Sequence, residues 1–205
     1  MRLWRTLFLT WHLHGSLPAS RFPPACKVSD GEAFTWVDRY VDRACGGRGD
    51  AQTGPLHLRA EAIATVVIES LFRGASLGQY QLGPFVIMAN HVHALLLPSV
   101  APSLLPKGLK GVTAREANRL LNRTGEQFWQ RESYDHWVRN DAEWTRIASY
   151  IERNPVKAGL VEKEEDHPWS SANARWNKSV HASVGQGPAP RQYLTSDKQR
   201  LGQRL

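Results

Sequence analysis

Two groups of residues in this chain have the types and spacing that metal-assisted chemistry requires. The first is His91 and His93, which flank one valine, so on a β-strand both side chains project from the same face. Two imidazoles placed in this way can hold one cation without distorting the backbone. A second pair with the same spacing, His12 and His14, falls on another predicted strand, and spacing alone does not choose between them. Strand histidines that merely hydrogen-bond to neighbouring polar groups also fit the motif.

Tyr150 and Asn154 form the second group. They lie four residues apart, so on a helix they share one face. The apolar stripe of that helix lies beside them, so Tyr150 can reach a site while the stripe holds the helix on a sheet. A tyrosine at the rim of a core is the alternative interpretation. Pro155 disfavours helical geometry in the residue before it, which predicts a helix end or a kink at Asn154.

Basic residues form a third group, near a predicted helix over residues 103–122. Arg115, Arg119 and Arg123 recur every fourth residue, a spacing that suits DNA phosphates but also an ordinary solvated face. The residues expected to bind DNA are Lys107, Lys110, Arg115, Arg119 and Arg131. Three tryptophans nearby fit either base stacking or core packing, with core packing expected for most of them: Trp129, Trp137 and Trp169.

Composition narrows the class of partner. The 205 residues carry a formal net charge of +7, which favours nucleic acid first and an anionic membrane surface second. The two cysteines, Cys26 and Cys45, have no C-x-x-C spacing, which argues against a disulfide framework or a cysteine-rich zinc site. The sequence contains no glycine-rich phosphate-binding loop, so it does not indicate a nucleotide cofactor. The apolar runs are too short or too interrupted for a signal peptide or a membrane span. We therefore expect a soluble, cytoplasmic protein that is associated with the nucleoid when it is bound to DNA.

The elements that must position these residues follow from periodicity and turn signals. Strands are predicted over residues 4–14, 79–88, 91–97 and 133–139, and helices over 31–44, 56–74, 103–122 and 141–154. Asn140 is the expected N-cap of the last helix, with Glu143 completing a capping box, and Gly159 is the expected stop. This order predicts an α+β, ferredoxin-like βαββαβ fold, an antiparallel sheet with helices packed on one face. We expect one catalytic domain over 1–172 and a basic, polar, partly disordered tail over 173–205.

Several separate segments, in order, resemble the REP-associated tyrosine transposases, a group of single-tyrosine HUH insertion-sequence transposases. They are TWHLHGSLP (10–18), MANHVHALLLP (88–98), KGLKGVTAREANRLL (107–121), FWQRESYDHWVRNDAEWTRIASYIERNPVKAGLV (128–161) and HPWSSA (167–172). The resemblance implies an HUH endonuclease-like domain in which His91 and His93 are metal ligands. It also implies that Tyr150 is the nucleophile and that Asn154 is a third ligand.

The activity implied by the resemblance is DNA transposition and recombination by a mobile-element enzyme. It would cleave and rejoin single-stranded DNA at palindromic hairpin repeats through a covalent 5′-phosphotyrosine, without ATP. Imidazole and amide ligands suit Mg²⁺ or Mn²⁺. The resemblance also implies a monomer. Two alternatives stay open: a non-catalytic, sequence-specific DNA-binding protein of the same fold, and a metal-dependent nuclease that uses water. If Tyr150 is not the nucleophile, Tyr134 is the next candidate.

Overall fold

A computed structural model describes residues 5–17, 30–45 and 54–176 of the chain, with side chains from Val37 onward in the second range. Most of the predicted tail over 173–205 lies outside these residues, as do residues 18–29 and 46–53. Cys26 lies outside them as well. Within the described ranges, no helix is both long enough and apolar enough to cross a membrane.

Four strands form one antiparallel sheet: β1 (Leu7–His12), β2 (Tyr80–Ile87), β3 (His91–Pro98) and β4 (Tyr134–Trp137). Their spatial order is β2-β3-β1-β4, with β1 and β3 in the centre. The helices of the described part are α1 (Asp30–Cys45), α2 (Glu61–Ser76), α3 (Leu104–Leu120) and α4 (Asp141–Lys157). The order of elements confirms the predicted α+β, ferredoxin-like plan, with one added helix before β2 and one after β4.

Helices cover both faces of the sheet, so the expectation of helices on one face is wrong. On one face, Leu9, Trp11 and Val92 pack in a core with side chains of α2 and α3. On the opposite face, Phe8 and Leu95 belong to a second core with residues of α4 and the end of α1. All six residues of β1 are buried, as are seven of the eight in β3, and strands covered on both sides bury successive residues in this way.

Strand β2 lies at one edge of the sheet, and a later segment of the chain covers its outer side. Val86 forms an isolated bridge with Ser170, while the amide of Ile87 donates to the carbonyl of Trp169 at 2.9 Å. The HPWSSA segment therefore shields an edge that would otherwise leave backbone groups unpaired. Pro84 is compatible with this position, because a proline without an N–H group is tolerated at an edge and beside a bulge.

Helix α4 begins as predicted but ends later than predicted. The Asn140 side chain accepts a hydrogen bond from the amide of Glu143 at 2.9 Å, which confirms Asn140 as the N-cap. The Glu143 carboxylate reaches back to the amide of Arg139 at 2.8 Å rather than to that of Asn140. The helix continues through Pro155 to Lys157, so it does not end at Asn154.

A Schellman motif closes α4. The amide of Leu160 donates to the carbonyl of Pro155, and the amide of Gly159 donates to that of Val156, both at 2.9 Å. Gly159 has a φ of 72°, a conformation that glycine adopts without steric cost. The predicted stop signal is confirmed, and it lies far enough along the chain to keep Asn154 within the regular helix.

Candidate active site

The two histidines of β3 are fully buried and lie on the same sheet face as α4. Antiparallel pairing places Thr10 of β1 opposite His93, and the Thr10 hydroxyl lies 2.7 Å from His93 Nδ1. On the other ring, Nδ1 of His91 lies 2.7 Å from the side-chain oxygen of Asn90. Side-chain oxygens that contact the Nδ1 atoms orient both imidazole rings, so the Nε2 atoms can contact other partners.

Tyr150 and Asn154 approach the same place from α4. The side-chain nitrogen of Asn154, Nδ2, lies 3.3 Å from the Tyr150 hydroxyl and 3.4 Å from Nε2 of His93. The Tyr150 ring meets the rings of Phe8 and His93 edge-on, with centroids 6.3 and 5.5 Å apart. The structure thus brings all four residues predicted from the motifs into one cluster.

Two carboxylates of α1, which the sequence analysis did not identify, complete this cluster. Asp38 Oδ1 lies 3.2 Å from His93 Nε2, and Asp38 Oδ2 accepts a short hydrogen bond from the Tyr150 hydroxyl. Asp42 Oδ1 lies 3.6 Å from His91 Nε2. Aspartates four apart on one helix therefore face histidines two apart on one strand. Both carboxylates are buried, at 2% and 5% exposure, where an unpaired charge would be costly.

The donor atoms of the cluster fit a bound cation. One ligand atom each from Asp38, His91 and His93 lies within 4.8 Å of the others. Although these atoms are close, His91 Nε2 is buried without a hydrogen-bond partner, and so is Asn154 Oδ1. Leaving such atoms unsatisfied costs roughly 1–3 kcal/mol each, a cost that coordination to one ion would remove. Carboxylate, imidazole and amide groups together suit Mn²⁺ or Mg²⁺.

Burial and mutual charge shift the ionisation of these groups. Burial raises the pKa of Asp42 to about 6, and the nearby charge of Asp38 adds to this effect. Burial also opposes ionisation of Asp38, but its hydrogen bond with His93 and the charge of that imidazole hold its pKa below the usual range. Burial and the proximity of His93 hold the pKa of His91 well below 6.5, so His91 is neutral, as a metal ligand must be.

The phenol of Tyr150 is held in its protonated form. Burial raises its pKa well above 10, and the Asp38 carboxylate raises it further. In this arrangement the hydroxyl donates to Asp38, so deprotonation requires either proton transfer to that carboxylate or added positive charge nearby.

Lys157, one turn beyond Asn154, lies at the rim of the cluster. Its Nζ atom is 3.2 Å from Asp42 Oδ2 and 3.5 Å from Asp38 Oδ2. The same atom lies 5.1 Å from the centroid of the Tyr150 ring. The lysine side chain is 48% exposed, whereas those of the aspartates are 3% and 7% exposed, so Lys157 faces both the buried acids and the solvent.

The alternative histidine pair separates in the structure. His12 is buried on the same sheet face, with its ring centroid 5.9 Å from that of His91, whereas His14 lies beyond the end of β1 and is exposed. Burial, together with the proximity of His93, lowers the pKa of His12 to about 4. His12 therefore borders the cluster, but His14 does not take part in it.

The structure does not bring the predicted DNA-binding residues into this cluster. Lys107, Arg115 and Arg119 are exposed on α3, which packs on the opposite face of the sheet, and Arg131 is exposed just before β4. Lys110 instead donates to the carbonyls of Arg131 and Glu132 and to the Ser133 hydroxyl, so it holds that loop in place.

The predicted row of Arg115, Arg119 and Arg123 is shorter in the structure, because α3 ends at Leu120. Arg119 pairs with Glu116 at 3.2 Å, while Arg123 lies beyond the end of α3 and pairs with Glu126. Trp129 and Trp169 are buried in the core shared with α2 and α3, as expected for most of the tryptophans. Trp137 on β4 is 38% exposed.

The sequence did not predict a role for three residues of the cluster, and the reasons differ: Asp38, Asp42 and Lys157. The acids interrupt the apolar positions of α1 at a spacing of four, next to Val37 and Val41, and that interruption is a signal of a polar function on a packed face. Lys157 follows Asn154 by three residues and so shares its helix face, but the helix was predicted to end at Asn154, which left Lys157 outside it.

Comparison with known proteins is consistent with this geometry. Residues 58–154, which carry His91, His93, Tyr150 and Asn154, match the family model described as "Transposase IS200 like". A Haemophilus influenzae protein assigned as a REP-associated tyrosine transposase is 44% identical over 110 residues, covering 48% of this chain and 60% of that protein. The chain thus matches three-fifths of the length of this relative.

Two solved structures are similar in outline. A REP-associated tyrosine transposase bound to a REP hairpin gives a TM-score of 0.49 at 16% identity, covering 90% of this chain and 83% of that one. A Deinococcus radiodurans protein assigned as a transposase gives 0.40 at 17% identity, covering 73% and 89%. The sequence matches lie within about half of this chain, and over the segment 58–154 it is similar to the IS200-like transposases.

Proposed function

We propose that this protein is an endonuclease and strand transferase that acts on single-stranded DNA at palindromic hairpin repeats. Its intermediate is a 5′-phosphotyrosine on Tyr150. The observation that carries the proposal is the meeting of the Tyr150 hydroxyl with Asp38, Asn154 and the buried histidine pair. The hairpin substrate is inferred from the REP-associated relative and from the hairpin bound in the similar structure.

The ligands that we propose for a divalent cation are His91, His93, Asp38 and Asn154. Bound there, Mg²⁺ or Mn²⁺ would polarise the scissile phosphate and stabilise developing negative charge. Thr10 and Asn90 orient the imidazoles through their Nδ1 atoms, at 2.7 Å in both cases. Asp38 contributes an acid ligand in addition to those expected from the sequence.

The covalent step exchanges one phosphate ester for another. A bond forms between the Tyr150 oxygen and phosphorus, and the bond from phosphorus to the 3′ oxygen of the preceding nucleotide breaks. The phenol loses its proton and the leaving oxygen gains one. Asp38 accepts the hydrogen bond of the phenol, so it is the group placed to take that proton. The reverse step joins a new 3′-OH and needs no ATP, because the ester bond is conserved in the phosphotyrosine.

Adduct formation tests this function. Purified protein is mixed with labelled single-stranded oligonucleotides carrying palindromic repeats of the host genome, in Mn²⁺ or Mg²⁺. We expect a slowly migrating, denaturation-resistant band that requires metal and disappears in Tyr150→Phe, while binding of the oligonucleotide is retained. Tyr134→Phe is the matched control and should form the band at the wild-type rate.

The other outcomes separate the alternatives. Binding without an adduct in either metal, across several repeats, would favour a non-catalytic DNA-binding protein. Cleavage that persists in Tyr150→Phe without a protein-linked product would favour a nuclease that uses water. An adduct that survives in Tyr150→Phe and is lost in Tyr134→Phe would move the nucleophile to Tyr134.

A further inference from the structure

Two buried carboxylates of the candidate active site lie close to the place that a phosphate attacked by Tyr150 would occupy. Asp38 accepts a hydrogen bond from the Tyr150 hydroxyl and Asp42 lies beside His91, so a phosphodiester brought to Tyr150 would approach both carboxylates. At short distances in a poorly solvated site, like charges repel strongly. The cluster therefore needs positive charge that faces the incoming strand.

Lys157 occupies that position. Its Nζ atom lies 3.5 Å from Asp38 Oδ2, the same oxygen that accepts the Tyr150 hydrogen bond. Its other carboxylate partner, Asp42, lies at 3.2 Å. Among the residues that the structure describes, Lys157 is the one lysine or arginine whose ion pairs reach these two acids.

The exposure of Lys157 distinguishes it from a purely structural counter-ion. Its side chain is 48% exposed, whereas the carboxylates beside it are nearly inaccessible. A lysine has three donors on a flexible stem, so it can keep one acid partner and still donate to an oxygen that arrives from solvent. A cation bound by Asp38 would also weaken the attraction of that carboxylate for Lys157.

We infer that Lys157 binds the scissile phosphate, donating to a non-bridging oxygen as Tyr150 attacks. This inference rests on the proposed phosphotyrosine chemistry and adds to it a second source of positive charge, supplied by the chain itself. Lys157 and Tyr150 lie seven residues apart on α4, so one rigid helix fixes the distance between the nucleophile and the group that holds its target.

The test compares two substrates rather than two proteins alone. A hairpin oligonucleotide that forms the adduct is synthesised again with an uncharged methylphosphonate at the scissile position. On the ordinary phosphodiester, Lys157→Gln should slow adduct formation about 100-fold, as loss of one charge-stabilising donor does elsewhere. On the methylphosphonate, wild type and Lys157→Gln should differ by no more than about threefold, because the charge that Lys157 would contact is gone.

Three further measurements separate phosphate binding from a structural role. Lys157→Arg should retain most of the rate, and Lys163→Gln, which removes an exposed lysine beyond α4, should match wild type. Affinity for Mn²⁺ in the absence of DNA should be unchanged or tighter in Lys157→Gln, because a competing cation has been removed. If Lys157→Gln fails to fold, Lys157→Gln combined with Asp42→Asn, which also removes the unpaired acid, takes its place.

Each outcome is decisive. A rate loss confined to the charged substrate supports the inference. An equal loss on both substrates, or a loss explained by weaker Mn²⁺ binding, overturns it and leaves the phosphotyrosine mechanism standing. If wild type forms no adduct on any repeat, the proposed function fails and the role of Lys157 fails with it.

Discussion

At the scale of single residues, the candidate active site combines groups whose charges depend on one another. Asp38 contacts His93 through one oxygen and Tyr150 through the other, so a single carboxylate links the proposed cation site to the proposed nucleophile. Asp42 likewise lies beside His91 through one carboxylate oxygen and beside Lys157 through the other. Replacing one member should therefore change cation affinity and reactivity together, which is how interacting ionisable groups behave.

Asp38→Asn should weaken Mn²⁺ binding by at least about 10-fold, because a charged ligand becomes a neutral one. Calorimetric titration of Mn²⁺ into the metal-free protein measures this. Without metal, the same variant should be less stable than wild type, because contacts with His93 and Tyr150 hold the pKa of Asp38 below its usual range, so the ionised carboxylate stabilises the folded chain. Thermal unfolding in EDTA measures this second expectation.

Asp135→Asn is the control for this prediction, since Asp135 is an exposed aspartate on the edge strand β4. It should leave Mn²⁺ affinity unchanged. Equal affinity in Asp38→Asn and wild type would show that the ion is held without Asp38, by the histidines and Asn154.

The sequence predicts which residues lie on one face wherever their spacing alone determines it. Positions two apart on a strand and four apart on a helix share a face whatever the rest of the fold does, so His91 with His93 and Tyr150 with Asn154 could each be paired in advance. Asp38 could not be placed in the same way. Its contact with His93 depends on how α1 packs on the sheet, and no local spacing specifies that packing.

At the scale of elements, the helices differ in what limits their stability. Gly108 and Gly111 lie within α3 where an added Cβ would meet nothing within 4 Å, so the helix carries the entropic cost of glycine without a packing reason. Gly74 in α2 is different, because an added Cβ there would overlap the Tyr80 side chain, whose hydroxyl donates to the carbonyl of Leu71 at 2.8 Å.

Gly108→Ala should raise the free energy of unfolding by about 0.5–1 kcal/mol, whereas Gly74→Ala should lower it, by about 1–3 kcal/mol, through overpacking. Urea unfolding of both variants beside wild type provides the measurement. A stabilised Gly108→Ala that binds hairpin DNA more weakly would indicate that DNA approaches α3 closely at that glycine. A destabilised Gly108→Ala would contradict the open surroundings of this position.

Element boundaries were predictable to within a few residues, but their arrangement on the sheet was only partly so. The strand order follows from the sequence of elements, because the ferredoxin-like plan permits few topologies. The packing of helices on both faces of the sheet does not follow from the order of the elements. Strand β1 reads LFLTWH, which contains no polar alternation to mark an exposed face, and only the docking of α4 shows that both faces are covered.

At the scale of the whole molecule, buried histidines make stability depend on pH. The pKa of His12 is about 4 in the folded chain against 6.5 for an ordinary histidine. Between these values the unfolded chain binds the proton and the folded chain does not, so stability falls as pH decreases. From pH 7 to pH 5, His12 alone should cost about 2 kcal/mol. Asp42, whose raised pKa is about 6, acts in the opposite direction over part of this range.

His12→Asn isolates this contribution. The loss of unfolding free energy between pH 7 and pH 5, measured by urea titration in EDTA, should be about 2 kcal/mol smaller in the variant than in wild type. His14→Asn removes the exposed member of the same motif and should keep the wild-type difference. An equal loss in His12→Asn and wild type would show that His12 is not responsible.

The distribution of helices on the sheet has a mechanical consequence for DNA. Helix α3, with Lys107 and Arg115, and helix α4, with Tyr150, lie on opposite faces, so a nucleic acid that touches both must turn around an edge of the sheet. Duplex DNA has a persistence length of about 50 nm, far longer than this protein, so bending it around that edge is energetically costly. A short duplex joined to an unpaired strand can make that turn. The thickness of the layers would then set how many unpaired nucleotides separate a hairpin from the bond that is cut.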